Sequence, residues 1–149
     1  MPSEGQHTRG SFVRDVLPVI VAAGAIVGFS SIPGKALPIF PGWHADKLAH
    51  AAEFGVLGVL LARMLARMGF RHRPGTVLGL ALLGTSLWGA VDEVHQLFVP
   101  FRVSDWRDWV ADTVGGFLGA YGYVRLRVTQ RAARGAEGPA AVAKPEARG

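Results

Sequence analysis

The apolar residues of this chain fall in long blocks separated by short polar breaks, not in stripes at helical or strand spacing. Segments 56–61 and 77–83 carry no charge on any face, which suits helices solvated by lipid rather than by water. Blocks at about 16–32, 47–65, 76–99 and 106–124 each approach the ~20 residues of a bilayer crossing. The pattern predicts an all-α polytopic membrane protein, a bundle of about four transmembrane helices surrounded by a lipid bilayer. A Pro/Gly-rich connector with Pro33, Gly34, Pro38, Pro41 and Gly42 separates the first two blocks, and Trp43 beside it reads as an interfacial anchor.

The ends lack this pattern. Residues 1–10 are polar, and 130–149 are mostly Ala, Gly, Pro and Arg, so disorder is expected over 1–14 and 129–149, around a single helical domain at 15–128. A cleaved secretory signal at the start is disfavoured, because Pro18 lies within the apolar run and no A-x-A site follows it.

Charge supplies an orientation. The net charge is +5, but the basic residues flank the apolar blocks: Arg9 and Arg14 before the first, Arg63 to Arg73 after the second, Arg125 to Arg134 after the fourth. The positive-inside rule then places both termini in the cytoplasm and the 31–46 and 100–105 loops outside. No basic stripe is interleaved with exposed aromatics, so no nucleic-acid partner is expected. The absence of cysteine excludes disulfides, thiolate metal sites and cysteine nucleophiles. No cofactor signature is present, and the oligomeric state is open.

Three polar clusters interrupt the apolar blocks, all at the outward ends of their helices. The second block opens with Asp46, Lys47, His50 and Glu53. The third closes with Asp92, Glu93, His95 and Gln96, and the fourth opens with Asp105, Arg107, Asp108 and Asp112. At 1.5 Å rise per residue, Glu53, Glu93 and Asp112 should lie roughly 10 Å below the outer surface, with His50, Gln96 and Asp108 in a shallower layer. Asp46 and Asp105 suit helix capping, and Arg102 suits a bidentate hold on a carboxylate or phosphate. His95 points to another side of its helix and is assigned no role. Such groups could simply partner one another and fix helix register, but the acids outnumber the nearby cations Lys47, Arg102 and Arg107, which favours a pocket. Gly55, Gly58, Gly115, Gly116 and Gly119 are spaced for close helix approach.

These residues carry a resemblance. "DKLAHAAEFGVLG", "VDEVHQLFVPFR" and "DWVADTVGGFLG" occur in the order of the motifs of the VanZ-like family of bacterial membrane proteins, from Asp46 to Gly119. Matching positions are Asp46, Lys47, His50, Glu53, Leu57, Gly58, Asp92, Glu93, Gln96, Pro100, Arg102, Asp108, Gly115 or Gly116, and Gly119. Two positions depart from the pattern: Phe101 stands where the family usually has Gly, and Asp112 where it usually has Asn. The resemblance implies a multi-pass protein of the inner (cytoplasmic) membrane and the cell envelope, with glycopeptide (teicoplanin) resistance as the role attached to the family.

Three functions stay open. The preferred one is an outward pocket of Lys47, His50, Glu53, Glu93, Gln96, Arg102, Asp108 and Asp112 that binds a lipid-linked, peptidoglycan-related or anionic envelope head group. A membrane-embedded hydrolase or transferase could use the same His, Glu and Asp residues as acid and base, although neither Ser86 nor Ser104 sits in a recognisable nucleophile motif. A proton-coupled transporter is less favoured, since the acids gather near one face and no internal repeat exists. A divalent metal on His50, Glu53, Glu93 and Asp108 lacks any specific spacing signature, so no metal is assigned.

Overall fold

The computed structural model describes residues 4–33 and 43–137, with side chains over 12–33 and 46–134. Among the described residues there are four helices and no strand: α1 (Glu4–Ser30), α2 (Trp43–Leu65), α3 (Pro74–Gln96) and α4 (Trp106–Glu137). A π-helical turn, Ala66–Phe70, extends α2. Gly69 within it has φ 117°, a left-handed conformation that only glycine adopts cheaply and that turns the chain back into α3. Pro74 opens α3, where its missing N–H costs nothing. Most of the Pro/Gly-rich connector, 34–42, lies outside the described residues.

The helices run past the apolar blocks. The segments expected to be disordered are helical over 4–14 and 129–137. Ala, Arg, Gln and Glu are strong helix formers, so local propensity carries α4 beyond the point where the apolar pattern ends.

Among the described residues three stretches are long and apolar enough to cross a membrane: Phe12–Ser30, Asp46–Phe70 and Pro74–Gln96. The fourth helix is less apolar because Asp112, four glycines and two tyrosines interrupt its central run. Burial is inverted relative to a water-soluble bundle. Leu17, Ile20, Val21, Val56, Leu83, Leu87 and Leu118 face outward, while Thr85, Asp92, Glu93, Gln96, Asp108 and Asp112 are buried. That is the arrangement expected where the solvent is hydrocarbon and polar groups must find partners inside.

The α2–α4 contact organises the bundle. A Cβ at Gly58 would lie 2.2 Å from the Gly116 carbonyl oxygen, one at Gly115 would lie 2.1 Å from that of Ala51, and one at Gly119 would lie 2.0 Å from that of Gly55. The two backbones touch through the small-residue faces that the sequence spacing marks. Thr85 of α3 closes over Gly116, returning its hydroxyl to the Ala81 carbonyl at 3.0 Å. Phe54 and Leu57 of α2 meet Ile26 of α1 in one apolar cluster, and Ala62, Val77, Ala81 and Ala120 form a second.

The apolar span of the first helix, Phe12–Ser30, is tied down at its two ends. Asp15, buried near the start of that span, accepts a 2.7 Å bond from Arg67, with Arg63 at 3.9 Å and Arg14 at 3.8 Å. At the other end Ser30 donates to Asp92 of α3 at 2.8 Å. Arg102, in the α3–α4 turn, donates to the carbonyls of Phe29 (3.1 Å) and Ile32 (3.2 Å) where α1 ends.

Candidate functional site

The start of α2, the end of α3 and the start of α4 meet at one end of the bundle and gather the three polar clusters. The tight turn after α3 closes through Phe98 N–H to the His95 carbonyl and Val99 N–H to the Gln96 carbonyl. Phe101 in this turn has φ 60°, the conformation suited to the glycine for which it stands in. Asp105 then caps α4 by accepting the Arg107 N–H at 2.9 Å. That N–H and the Lys47 ammonium hold the Asp105 carboxyl below its ordinary value of 3.8, against a smaller opposing effect of burial.

Lys47 crosses from α2 to α4. Its ammonium meets Asp108 in a short contact, Asp105 at 3.2 Å and Asp46 at 3.6 Å. One cation thus faces three carboxylates, and the pairing holds the polar mouth of the bundle shut on the α2–α4 side.

Beneath this mouth the His50 ring nitrogen Nδ1 lies 3.0 Å from Asp112 Oδ1. Asp112 is fully buried, pressed against Gly89 of α3, where a Cβ would come within 3.2 Å of it. Among the described residues its second oxygen, Oδ2, has no hydrogen-bond partner. Among the same residues two more carboxylates share this half-paired state. Asp92 accepts from Ser30 and from Gln96 (2.9 Å) on Oδ2, while its Oδ1 has no partner. Glu93 accepts from the Ser104 hydroxyl (2.7 Å) and the Asp105 N–H (2.8 Å) on Oε2, while its Oε1 has none. The indole N–H of Trp88, one turn below Asp92, is likewise buried and unpartnered. Glu53 makes no hydrogen bond or ion pair among the described residues, and lies within electrostatic reach of His50, Asp112, Asp92 and Arg102.

The eight residues singled out from the sequence therefore occupy one end of the bundle, in distinct settings. His50, Glu53 and Asp112 form the deep group, and Gln96 joins it through Asp92. Glu93 reaches upward to the α3–α4 turn instead of lying level with Asp112. Lys47 and Asp108 are paired with each other, and Arg102 turns toward the end of α1 rather than toward a carboxylate. His95, given no role from the sequence, meets the Ser31 hydroxyl at 2.9 Å.

Asp92 and Ser30 are the members that sequence reasoning did not select. Asp92 stands four residues before Gln96 and so shares its face, a signal present in the chain. Nothing in the sequence marks Ser30, because its partner lies 62 positions away on another helix.

One group of possible metal donors exists among the described residues: an atom each from Asp46, His50 and Asp108 lies within 4.8 Å of the others. The Lys47 ammonium already contacts both of its carboxylates, so the charge that would draw a cation is met. Glu53 and Glu93 are not part of that group.

No curated protein and no solved structure matches the chain. The VanZ/LLP1 family matches residues 6–127, a stretch holding the packed part of every helix and every residue of the polar end. With its apolar helices, its buried polar cluster and this match, the chain belongs to the VanZ/LLP1 family and is a membrane protein of the VanZ type.

Proposed function

We propose that this is a multi-pass protein of the inner membrane whose polar end faces outward and binds the head group of a lipid-linked, peptidoglycan-related molecule. The observation that carries the reading is the set of half-paired carboxylates. Asp92, Glu93 and Asp112 each direct one oxygen into a protein hydrogen bond and keep the other buried, with no donor among the described residues. A buried acceptor without a donor costs about 1–3 kcal/mol, and three on neighbouring helices call for a ligand rich in O–H and N–H groups. Sugars, amino sugars and peptide amides have that chemistry. Lys47 and Arg102 are engaged within the protein, which favours a donor-rich head group over an anionic one.

The arginines around the α2–α3 turn and along the end of α4 support the orientation with this end outside. Glycopeptide resistance, the role attached to the family, is part of the same proposal.

The test is titration of the purified protein with a polyprenyl-linked amino-sugar precursor and, in parallel, with the same polyprenyl phosphate lacking the sugar. Saturable binding of the first alone, weakened at least tenfold by Asp92→Ala, is the expected result. Equal binding of both, or of neither, sinks the reading.

A second reading rests on the His50–Asp112 pair. A carboxylate on Nδ1 fixes the ring and directs Nε2 away from itself, as in acid–base sites. Turnover of the sugar-bearing lipid, lost in His50→Gln with binding retained, would establish a hydrolase or transferase.

A further inference from the structure

At the opposite end of the bundle, the π turn after α2, the start of α3 and the far half of α4 enclose a cavity of about 400 Å³. Arg67 and Arg71 line it from the α2 side, and Arg127, Arg131 and Arg134 from α4. Val77, Val124 and Tyr123 supply apolar surface within it. Of the five guanidiniums only Arg67 has a carboxylate within 4.0 Å among the described residues, the Asp15 that anchors α1. Arg131 donates from one terminal nitrogen to the Arg71 carbonyl, which ties α4 to the turn and leaves its remaining N–H groups available. Arg127 lies 5.4 Å over the Tyr123 ring, which holds its plane.

Like charges crowded around a small cavity repel one another, and an anion among them removes that repulsion. The planar guanidinium fork matches the oxygens of a phosphate in particular. The cavity sits where the apolar spans end, at Phe70 and Pro74, which is the level of lipid head groups if these helices cross a bilayer. A ligand combining phosphate with hydrocarbon meets both halves of the lining, and basic pockets between helices at the positive face are suited to such head groups.

We infer that this arginine-lined cavity binds the phosphodiester of an anionic phospholipid from the surrounding leaflet, its glycerol and first acyl carbons lying against Val77 and Val124. The site is about 20 Å along α4 from Asp112, and is independent of the reading given to the acidic end.

The experiment uses full-length protein in a zwitterionic detergent, titrated separately with phosphatidylglycerol, phosphatidylcholine and inorganic phosphate, with thermal unfolding and lipid retention in native mass spectrometry as readouts. Phosphatidylglycerol should raise the Tm saturably and stay bound, with its half-point shifted about tenfold upward in Arg71→Gln and Arg127→Gln. Arg125→Gln, which removes a guanidinium stacked on Tyr121 outside the cavity, should leave the half-point unchanged. Should either cavity variant fail to fold, Arg134→Gln on the exposed end of α4 serves the same comparison. Equal effects of phosphatidylcholine, an equal loss in Arg125→Gln, or full stabilisation by inorganic phosphate alone would each overturn the proposal, the last by assigning the site to a soluble anion.

Discussion

Asp112 on α4 grips His50 on α2 through one carboxylate oxygen, 3.0 Å from Nδ1, and keeps the other oxygen buried without a donor against Gly89. The side chain is therefore half structural and half available. Replacement by Asn keeps an acceptor for His50 and removes an ionisable group from a buried cluster that already holds other carboxylates. Asp112→Asn is expected to unfold at an equal or higher temperature than wild type, and Asp112→Ala, which also strands His50, to lose about 1–3 kcal/mol. Thermal unfolding in one detergent compares the three, and a large loss in Asp112→Asn would show that ionisation of this carboxyl holds the bundle together.

Arg102 satisfies two carbonyls at the end of α1, so its removal should loosen that helix. Arg102→Ala is expected to lose about 1–3 kcal/mol, and Arg102→Lys to recover only part, since an ammonium lacks the fork that spans Phe29 and Ile32. Full stability in Arg102→Ala, measured in the same assay, would return this residue to the list of free anion-binding groups.

Phe101 is a bulky residue in a left-handed conformation, for which the cost is about 1–2 kcal/mol. It is 65% exposed, so little burial is lost when the side chain is removed. Phe101→Gly should be neutral or stabilising by up to about 1 kcal/mol, and a clear loss would mean that the ring holds the turn.

The α2–α4 seam leaves no room for an added atom at Gly58, Gly115 or Gly119. Gly58→Ala and Gly115→Ala should each lower the melting temperature sharply, because the new Cβ would fall 2.2 Å and 2.1 Å from backbone oxygens. Gly122→Ala, with nothing within 4 Å, is the control and should be neutral or slightly stabilising. Similar behaviour of all three would show that the backbones are not in contact.

Asp105 links stability to pH. Its carboxyl is held below 3.8 when folded, so its contribution is complete above the unfolded value and is lost as pH falls through the lower folded one. Wild type should exceed Asp105→Asn in melting temperature at neutral pH, and the gap should close on acidification below about pH 4. A gap that persists in acid would assign the effect to the cap geometry rather than to the charge.

The helices and the polar end were legible because both leave local marks. Lipid-length apolar runs announce α1, α2 and α3, and a charged residue inside such a run stands out however the helix is rotated. The stripe Gly115, Gly116 and Gly119 foretells a close neighbour, though not which one. What the sequence conceals is long-range pairing. Consecutive Asp92 and Glu93 point to different places, yet both are buried, because α1 covers one through Ser30 and the α3–α4 turn covers the other through Ser104. Arg102 looks like an anion holder until the end of α1 is seen to occupy it. Asp15 lies beside Arg14 in the chain, but its closest partner is Arg67 on another helix.

The pinning of the apolar span of α1 at its two ends bears on how the chain is made. Its partners arrive late: Arg67 follows Asp15 by 52 positions, Asp92 follows Ser30 by 62, and Arg102 follows Phe29 by 73. At synthesis rates of roughly 5–20 residues per second, α1 waits several seconds before its last contact leaves the ribosome. Until then the Ile32 carbonyl must be met by water or lipid head groups, while that of Phe29 has only the Ile32 N–H at 3.1 Å. The first of the four helices thus waits for the α3–α4 turn to be fully locked, and a nascent chain halted before Asp92 would carry α1 anchored through Asp15 alone.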